Sequence, residues 1–146
     1  MIRRVRGPRG SRKTPTPLET LMSSPADRTY SESHEWFHRE GDLVTIGITV
    51  HATEALTDIT YVEMKPTGTE LSPGDSVGEV ESVKTTSDIY TAVAGEVAEV
   101  NQSVVDDPSL VNSDPYGDGW LVRIKVADAG PLESLMNASA YDSMNG

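Results

Sequence analysis

Cysteine is absent from all 146 residues. That excludes disulfides, thiolate metal sites and a cysteine nucleophile, so any redox role has to come from an attached group. Aromatic residues make up only 5% of the chain, so a core must be built mostly from small apolar side chains. No apolar run approaches the roughly 20 residues that a membrane-spanning helix needs, and no secretory h-region opens the chain. Neither a Ser–His–Asp arrangement nor a phosphate-cradling glycine pattern is present. His34 and His38, read as four apart on one face of a strand, lack a third ligand for a metal. Asp106-Asp107 and Asp114 with Asp118 lack the ligand spacing of a calcium loop. Basic residues are scarce as well: 12 Lys and Arg stand against 23 Asp and Glu, a formal charge of −11.

The few positive charges are unevenly placed. Seven of the 12 fall within the first 28 residues (Arg3, Arg4, Arg6, Arg9, Arg12, Lys13, Arg28), against only Glu19 and Asp27 there. The rest of the chain therefore carries about −16. Such a body repels nucleic acid and anionic lipid and suits docking on basic protein surfaces. Residues 1–26, rich in Arg, Pro, Gly and Ser without apolar periodicity, read as a disordered basic extension, and residues 27–146 as one domain. The charge of the extension fits a mitochondrial transit peptide, but Pro8, Gly10, Pro15 and Pro17 would break its amphipathic helix. A true translation start at Met22 accounts for the segment better.

From Tyr30 onward the pattern is β-rich. His34–His38 and Leu43–Thr49 flank Arg39-Glu40-Gly41-Asp42 as a hairpin. His51–Thr57 reads as a short helix with Ala52, Ala55 and Leu56 on one face. Thr60–Lys65 reads as a strand, Val62 and Met64 on one side and Tyr61 and Glu63 on the other, and Leu71–Asp75 as a turn. Residues 112–119 form a long turn into a last strand, Trp120–Val126. From Pro131 the tail reads as a helix with Leu132, Leu135 and Met136 aligned. Trp36 and Trp120 are most simply packing residues of core or rim. The sum is an all-β fold, a sandwich or flattened barrel with short peripheral helices.

Val77, Val80 and Val83 precede, and Ile89, Val93, Val97 and Val100 follow, the polar run Lys84-Thr85-Thr86-Ser87-Asp88. Lys84 therefore falls at or beside the tip of a β-turn, pointing outward between two strands. Such a tip exposes an amine while its strands hold it rigidly, and the small neighbours Ser82, Thr85, Thr86 and Ser87 leave room for an enzyme to close over it. By itself Lys84 reads as an ordinary solvated lysine.

Gly78–Tyr90, with Gly95-Glu96-Val97 and Glu99-Val100-Asn101, resembles the lipoylation segment of the glycine cleavage system H proteins. Ser33-His34-Glu35-Trp36 resembles that family's opening motif. Gly47-Ile48-Thr49 with Glu54-Ala55-Leu56 is similar to its first strand and helix, and Leu110–Tyr116 with Gly119-Trp120 to the block before its last strand. Four collinear blocks, from about Tyr30 to Tyr141, are more specific than one lysine turn. Gly68 and Gly95, sixteen residues before and eleven after Lys84, also match the spacing of lipoyl domains at large.

The resemblance implies a lipoyl-domain-like barrel-sandwich hybrid of two small antiparallel sheets with a C-terminal helix, and a non-catalytic carrier with (R)-lipoate on Lys84. It implies a cycle in which the lipoyl arm takes the aminomethyl group of glycine from a pyridoxal-phosphate glycine decarboxylase (P protein) to an aminomethyltransferase (T protein). Dihydrolipoamide dehydrogenase (L protein) then reoxidises the arm, and lipoate-attachment enzymes install it. Ser33, Glu35 and Asp88 are implied as contacts in a cleft for the loaded arm, and Glu81 in recognition by the ligase; plain surface acids are the alternative for each carboxylate. A monomer in the bacterial cytoplasm is expected, with the mitochondrial matrix as the alternative and neither nucleic acid nor membrane as partner. Three departures stand out: Val50 replaces an acidic helix cap, leaving Thr49 for that role; Thr85-Thr86 replace a small apolar pair; Ala92 replaces a proline. A lipoyl or biotinyl domain of another complex is disfavoured, because Val83-Lys84-Thr85 replaces the usual Asp-Lys-Ala or Met-Lys-Met. A lipoyl-relay protein and a purely structural module remain open.

Overall fold

A computed structural model describes residues 24–145. Among the described residues nine strands run in the order β1 (Thr29–Tyr30), β2 (Glu35–Glu40), β3 (Leu43–Ile48), β4 (Ile59–Met64), β5 (Glu70–Leu71), β6 (Ser76–Ser82), β7 (Thr86–Tyr90), β8 (Gly95–Val100) and β9 (Val122–Lys125). Helix α1 (Val50–Leu56) follows β3, α2 (Gln102–Asp106) and α3 (Ser109–Ser113) follow β8, and α4 (Ala138–Asn145) closes the chain after a 3-10 turn at Gly130–Ser134. One antiparallel sheet has the order β1-β2-β3-β9-β8-β5; the other, β4-β6-β7, carries the lysine segment on its last two strands. This is the two-sheet β architecture expected, with short helices at its periphery.

The alternation of β4 sets the packing. Ile59, Val62 and Met64 are buried while Tyr61 and Glu63 are exposed. On the inner faces they meet Val77, Val80, Ile89, Val97 and the β3 and β9 residues Val44, Ile46, Val122 and Ile124. Strand β2 is buried on both sides over its first half, because a second cluster of Tyr30, Trp36, Ala138 and Tyr141 covers its outer face. Trp36 donates its indole N–H to the Pro115 carbonyl at 3.0 Å. Opposite it on β3 stands Gly47, where a Cβ would come within 2.5 Å of the indole; only glycine lets the ring lie flat on the sheet. Trp120 sits at the rim beneath the Arg123 guanidinium, 4.1 Å from its ring centre.

Several elements depart from the expectations. His34 is not on a strand: its φ is +73°, and β2 begins one residue later, so His34 and His38 do not share a strand face. The hairpin turn narrows to Gly41-Asp42, with Gly41 at φ +64°. The last strand starts at Val122 rather than Trp120. Asn112 and Ser113 belong to α3 rather than to a turn, and α2 precedes it. Each of these helices has five residues, too few for a 3.6-residue period to register; they are held by the buried Val104 and Val111. The tail is two pieces rather than one helix. Pro131 opens the 3-10 turn, but Met136 then bridges to Tyr30 through hydrogen bonds of 2.8 and 3.0 Å, which forces extended backbone before α4. Residues 1–23 of the expected extension lie outside the described residues; Ser24 donates to the Asp142 carboxylate at 2.6 Å.

Candidate functional site: the lysine hairpin and the Glu35 corner

Lys84 lies in the three-residue connection Val83-Lys84-Thr85 between β6 and β7, and all three residues are exposed. The connection is tied at its base. Ser82 N–H donates to the Thr85 carbonyl at 2.8 Å. The Ser82 hydroxyl oxygen in turn accepts from both Lys84 N–H and Thr85 N–H at 3.1 Å. Val83 N–H reaches the Asp58 carbonyl at the foot of β4, 3.2 Å away. The backbone of the tip is thereby fixed while the lysine side chain stays outside. Among the described residues Lys84 makes no ion pair, and its ammonium touches only the Ala55 carbonyl at the last turn of α1, at 3.4 Å.

The outer face of the three-stranded sheet is acidic. Glu63, Glu79 and Asp88 stand abreast on β4, β6 and β7, and Glu81 lies in the next row between Tyr61 and Thr86. Like charges directly opposite destabilise a sheet pair, so this row is a cost to the fold. Glu81 is half-buried and Asp88 exposed.

Glu35 is different. It is 1% exposed, which removes the alternative of a plain surface acid. Ser31 and Ser33 donate their hydroxyls to Oε1, each at 2.5 Å, and Tyr90 N–H donates to Oε2 at 3.0 Å. The carboxylate has no ion-pair partner among the described residues and is accommodated in the interior by these three donors. It also ties β2 of the large sheet to β7 of the small one. The structure thus joins Ser33 to Glu35 directly. It places Asp88 two residues before Tyr90 on β7, where its Oδ2 is 3.5 Å from the Tyr90 hydroxyl; no hydrogen bond joins Asp88 to Ser33 or Glu35 among the described residues.

Thr49 caps α1, its hydroxyl oxygen accepting Ala52 N–H at 3.2 Å, as the substitution of Val50 for an acidic cap suggested. The same hydroxyl is 2.7 Å from the Tyr141 hydroxyl, which is 2.7 Å from Nδ1 of His34. Burial pushes the Tyr141 phenol up to about 12 despite the Thr49 hydrogen bond. His34 also faces His51, ring centres 4.5 Å apart. Sequence reasoning missed this cluster. The only signal, a histidine beside Glu35, gave no hint of a partner 107 positions away.

A profile of the Glycine cleavage H-protein family matches residues 28–145. The chain belongs to that family. Curated H proteins of the glycine cleavage system agree: that of Thermus thermophilus is 49% identical over 123 residues, covering 84% of this chain and 96% of the relative. That of Chromobacterium violaceum is 51% identical over 122 residues, covering 83% and 95%. The crystal structure of the glycine cleavage system H protein from Mycobacterium marinum superposes with a TM-score of 0.77 at 42% identity, covering 84% of this chain and 99% of that one. The exposed amine of Lys84 and the buried carboxylate of Glu35 are both groups able to do chemistry.

Proposed function

We propose that the chain is the lipoyl carrier of a glycine cleavage system, with (R)-lipoate in amide linkage to Nζ of Lys84. The observation that carries this is the lysine itself: an exposed amine that makes no ion pair among the described residues, on a backbone-locked tip, in a chain of this family. The residues fit the group. An acylating enzyme needs a reachable amine, and Ser82, Thr85 and Thr86 leave it uncrowded. When bound, the lipoyl group supplies the dithiol and disulfide chemistry that a chain without cysteine cannot.

The chain's own contribution is tethering and shelter. Its rigid tip carries cargo from a glycine decarboxylase to an aminomethyltransferase and then presents the arm to dihydrolipoamide dehydrogenase. Tethering raises the local concentration of cargo at each docked partner. The acidic row beside the tip favours basic partner surfaces, and acylation, by removing the lysine charge, leaves the tip more acidic still. Glu35, aligned by Ser33, stands ready with its remaining Oε2 lone pair to accept from an amine; Asp88 lies on β7, the strand of Tyr90. Glu81, three residues before Lys84, is read by the attachment enzyme. A monomer of one domain over residues 27–146, working in the bacterial cytoplasm, completes this reading.

The test is the intact mass of the protein from its native cells, followed by peptide mapping of the Val80–Tyr90 segment. A lipoyl-sized increment on Lys84 is expected. Bare Lys84 in cells that lipoylate other proteins would sink the swinging-arm mechanism.

A further inference from the structure

An arm on Lys84 has a surface to lie on. The lysine ammonium already leans over the last turn of α1, 3.4 Å from the Ala55 carbonyl. His51 is four residues earlier on the same helix, and both residues are exposed; at this spacing they share one side of the helix. Only about 6 Å of helix rise separates them.

At the end of that track the histidines are built in, not scattered. The His51 ring lies 4.5 Å from the His34 ring at an angle of 41°. His34 is fixed from behind by the Tyr141 hydroxyl on Nδ1, itself held by the α1 cap Thr49. In the tautomer whose Nδ1–H donates to the Tyr141 oxygen, Nε2 is left as an acceptor for a visitor. The backbone of His34 is held in the left-handed region at φ +73°, a conformation that strains a non-glycine residue. Its N–H is bound to the Ser31 carbonyl and its carbonyl to Thr49 N–H. Ser33 and Glu35 flank it in the chain. Burial, with the His51 imidazole beside it, holds His34 below the usual histidine range, so its ring is uncharged at neutral pH.

We infer that His51 and His34 are positioning residues at the far end of the arm's track, two imidazoles that accept hydrogen bonds from the amine of the one-carbon cargo. This rests on the reading of Lys84 as the lipoyl site and adds residues to it. A protonated amine has three N–H donors to satisfy. Glu35 already takes three donors from Ser31, Ser33 and Tyr90, so it cannot serve the whole ammonium. The uncharged His34 imidazole accepts a hydrogen bond without opposing the positive charge. Glu54, exposed on the same helix, adds negative potential to this end of the track.

The experiment uses the full chain labelled with 15N-histidine, unmodified, lipoylated, and lipoylated then reduced and loaded chemically with formaldehyde and ammonium. Ring 15N shifts of His51 and His34 are expected to move on loading. The His51→Ala variant is expected to lose the loaded amine about fivefold faster than wild type, the worth of one ordinary hydrogen bond, and His51→Gln, which keeps an acceptor, to restore most of its lifetime. Because His51 is exposed, its removal leaves the core intact, which an unchanged urea midpoint verifies. If both ring signals stay fixed while the amides around Ser33 and Glu35 move, or if His51→Ala holds its cargo as long as wild type, the arm rests elsewhere and the inference is wrong while the carrier reading stands. Failure of Lys84 to accept lipoate at all overturns both.

Discussion

At the β6–β7 tip, Lys84 is exposed and its position is fixed through backbone and the Ser82 hydroxyl. At the start of β2, Glu35 is 1% exposed and both its carboxylate oxygens are engaged, by donors from a turn, its own strand's entry and the opposite sheet. The surroundings of Lys84 restrain the main chain and leave the side chain alone, as the proposed carrier role, with visits by several enzymes, requires. Those of Glu35 restrain the side chain, which holds it in one orientation. Reach and preorganisation are thereby divided between a connection of the small sheet and a strand of the large one, and the hydrogen bond from Tyr90 to Glu35 links the two sheets.

Substitutions can break or sharpen that contrast. The largest effect is expected behind Glu35, at Trp36. Replacing this 2% exposed ring with Ala should lower the unfolding free energy by about 3–5 kcal/mol, read from urea denaturation; a loss below 1 kcal/mol would mean the outer aromatic layer is not structural. Glu35→Ala strands Tyr90 N–H and two hydroxyls and should cost about 1–3 kcal/mol, with faster hydrogen exchange at the Tyr90 amide as its local signature. Thr49→Ala removes the α1 cap and the Tyr141 contact, for a loss of about 1 kcal/mol in the same titration.

His34 gives a smaller, pH-dependent effect. Burial first, then His51, lowers its pKa in the folded state, so the unfolded chain binds the proton more readily. The contribution of the neutral ring is complete above the ordinary histidine value of about 6.5 and is lost as pH falls through the lowered folded value. Stability measured between about pH 7.5 and 5.5 should therefore decline on acidification, and His34→Asn, which tolerates a positive φ, should flatten that decline. An equal slope in both proteins would assign it to other groups. At the far end of the scale, Lys84→Arg should leave stability within about 0.5 kcal/mol while abolishing lipoylation detected by mass. A large loss of stability there would show that the tip depends on its side chain, contrary to the contrast drawn above.

The lysine turn was legible in sequence because strand alternation ends abruptly in a polar run, a signal confined to neighbouring positions. Val62 and Met64 against Tyr61 and Glu63, and Thr49 as the cap of α1, were legible for the same local reason. The helices at Gln102–Asp106 and Ser109–Ser113 were not, since five residues cannot display a helical period. The tail failed as one helix because Met136 was claimed by Tyr30 on the other side of the chain, and tertiary pairing overrode a local apolar spacing.

Composition, the lysine turn and the alternating strands determined by themselves a β-rich, cysteine-free, acidic domain that presents Lys84 on a hairpin, because each is set by interactions between near neighbours. Tertiary structure alone decided that Glu35 is buried under Ser31, Ser33 and Tyr90, that Lys84 leans on α1, and that His34, His51, Thr49 and Tyr141 meet. Those contacts join residues up to 107 positions apart, and they exist only once two sheets have closed over one core and the C-terminal helix has docked.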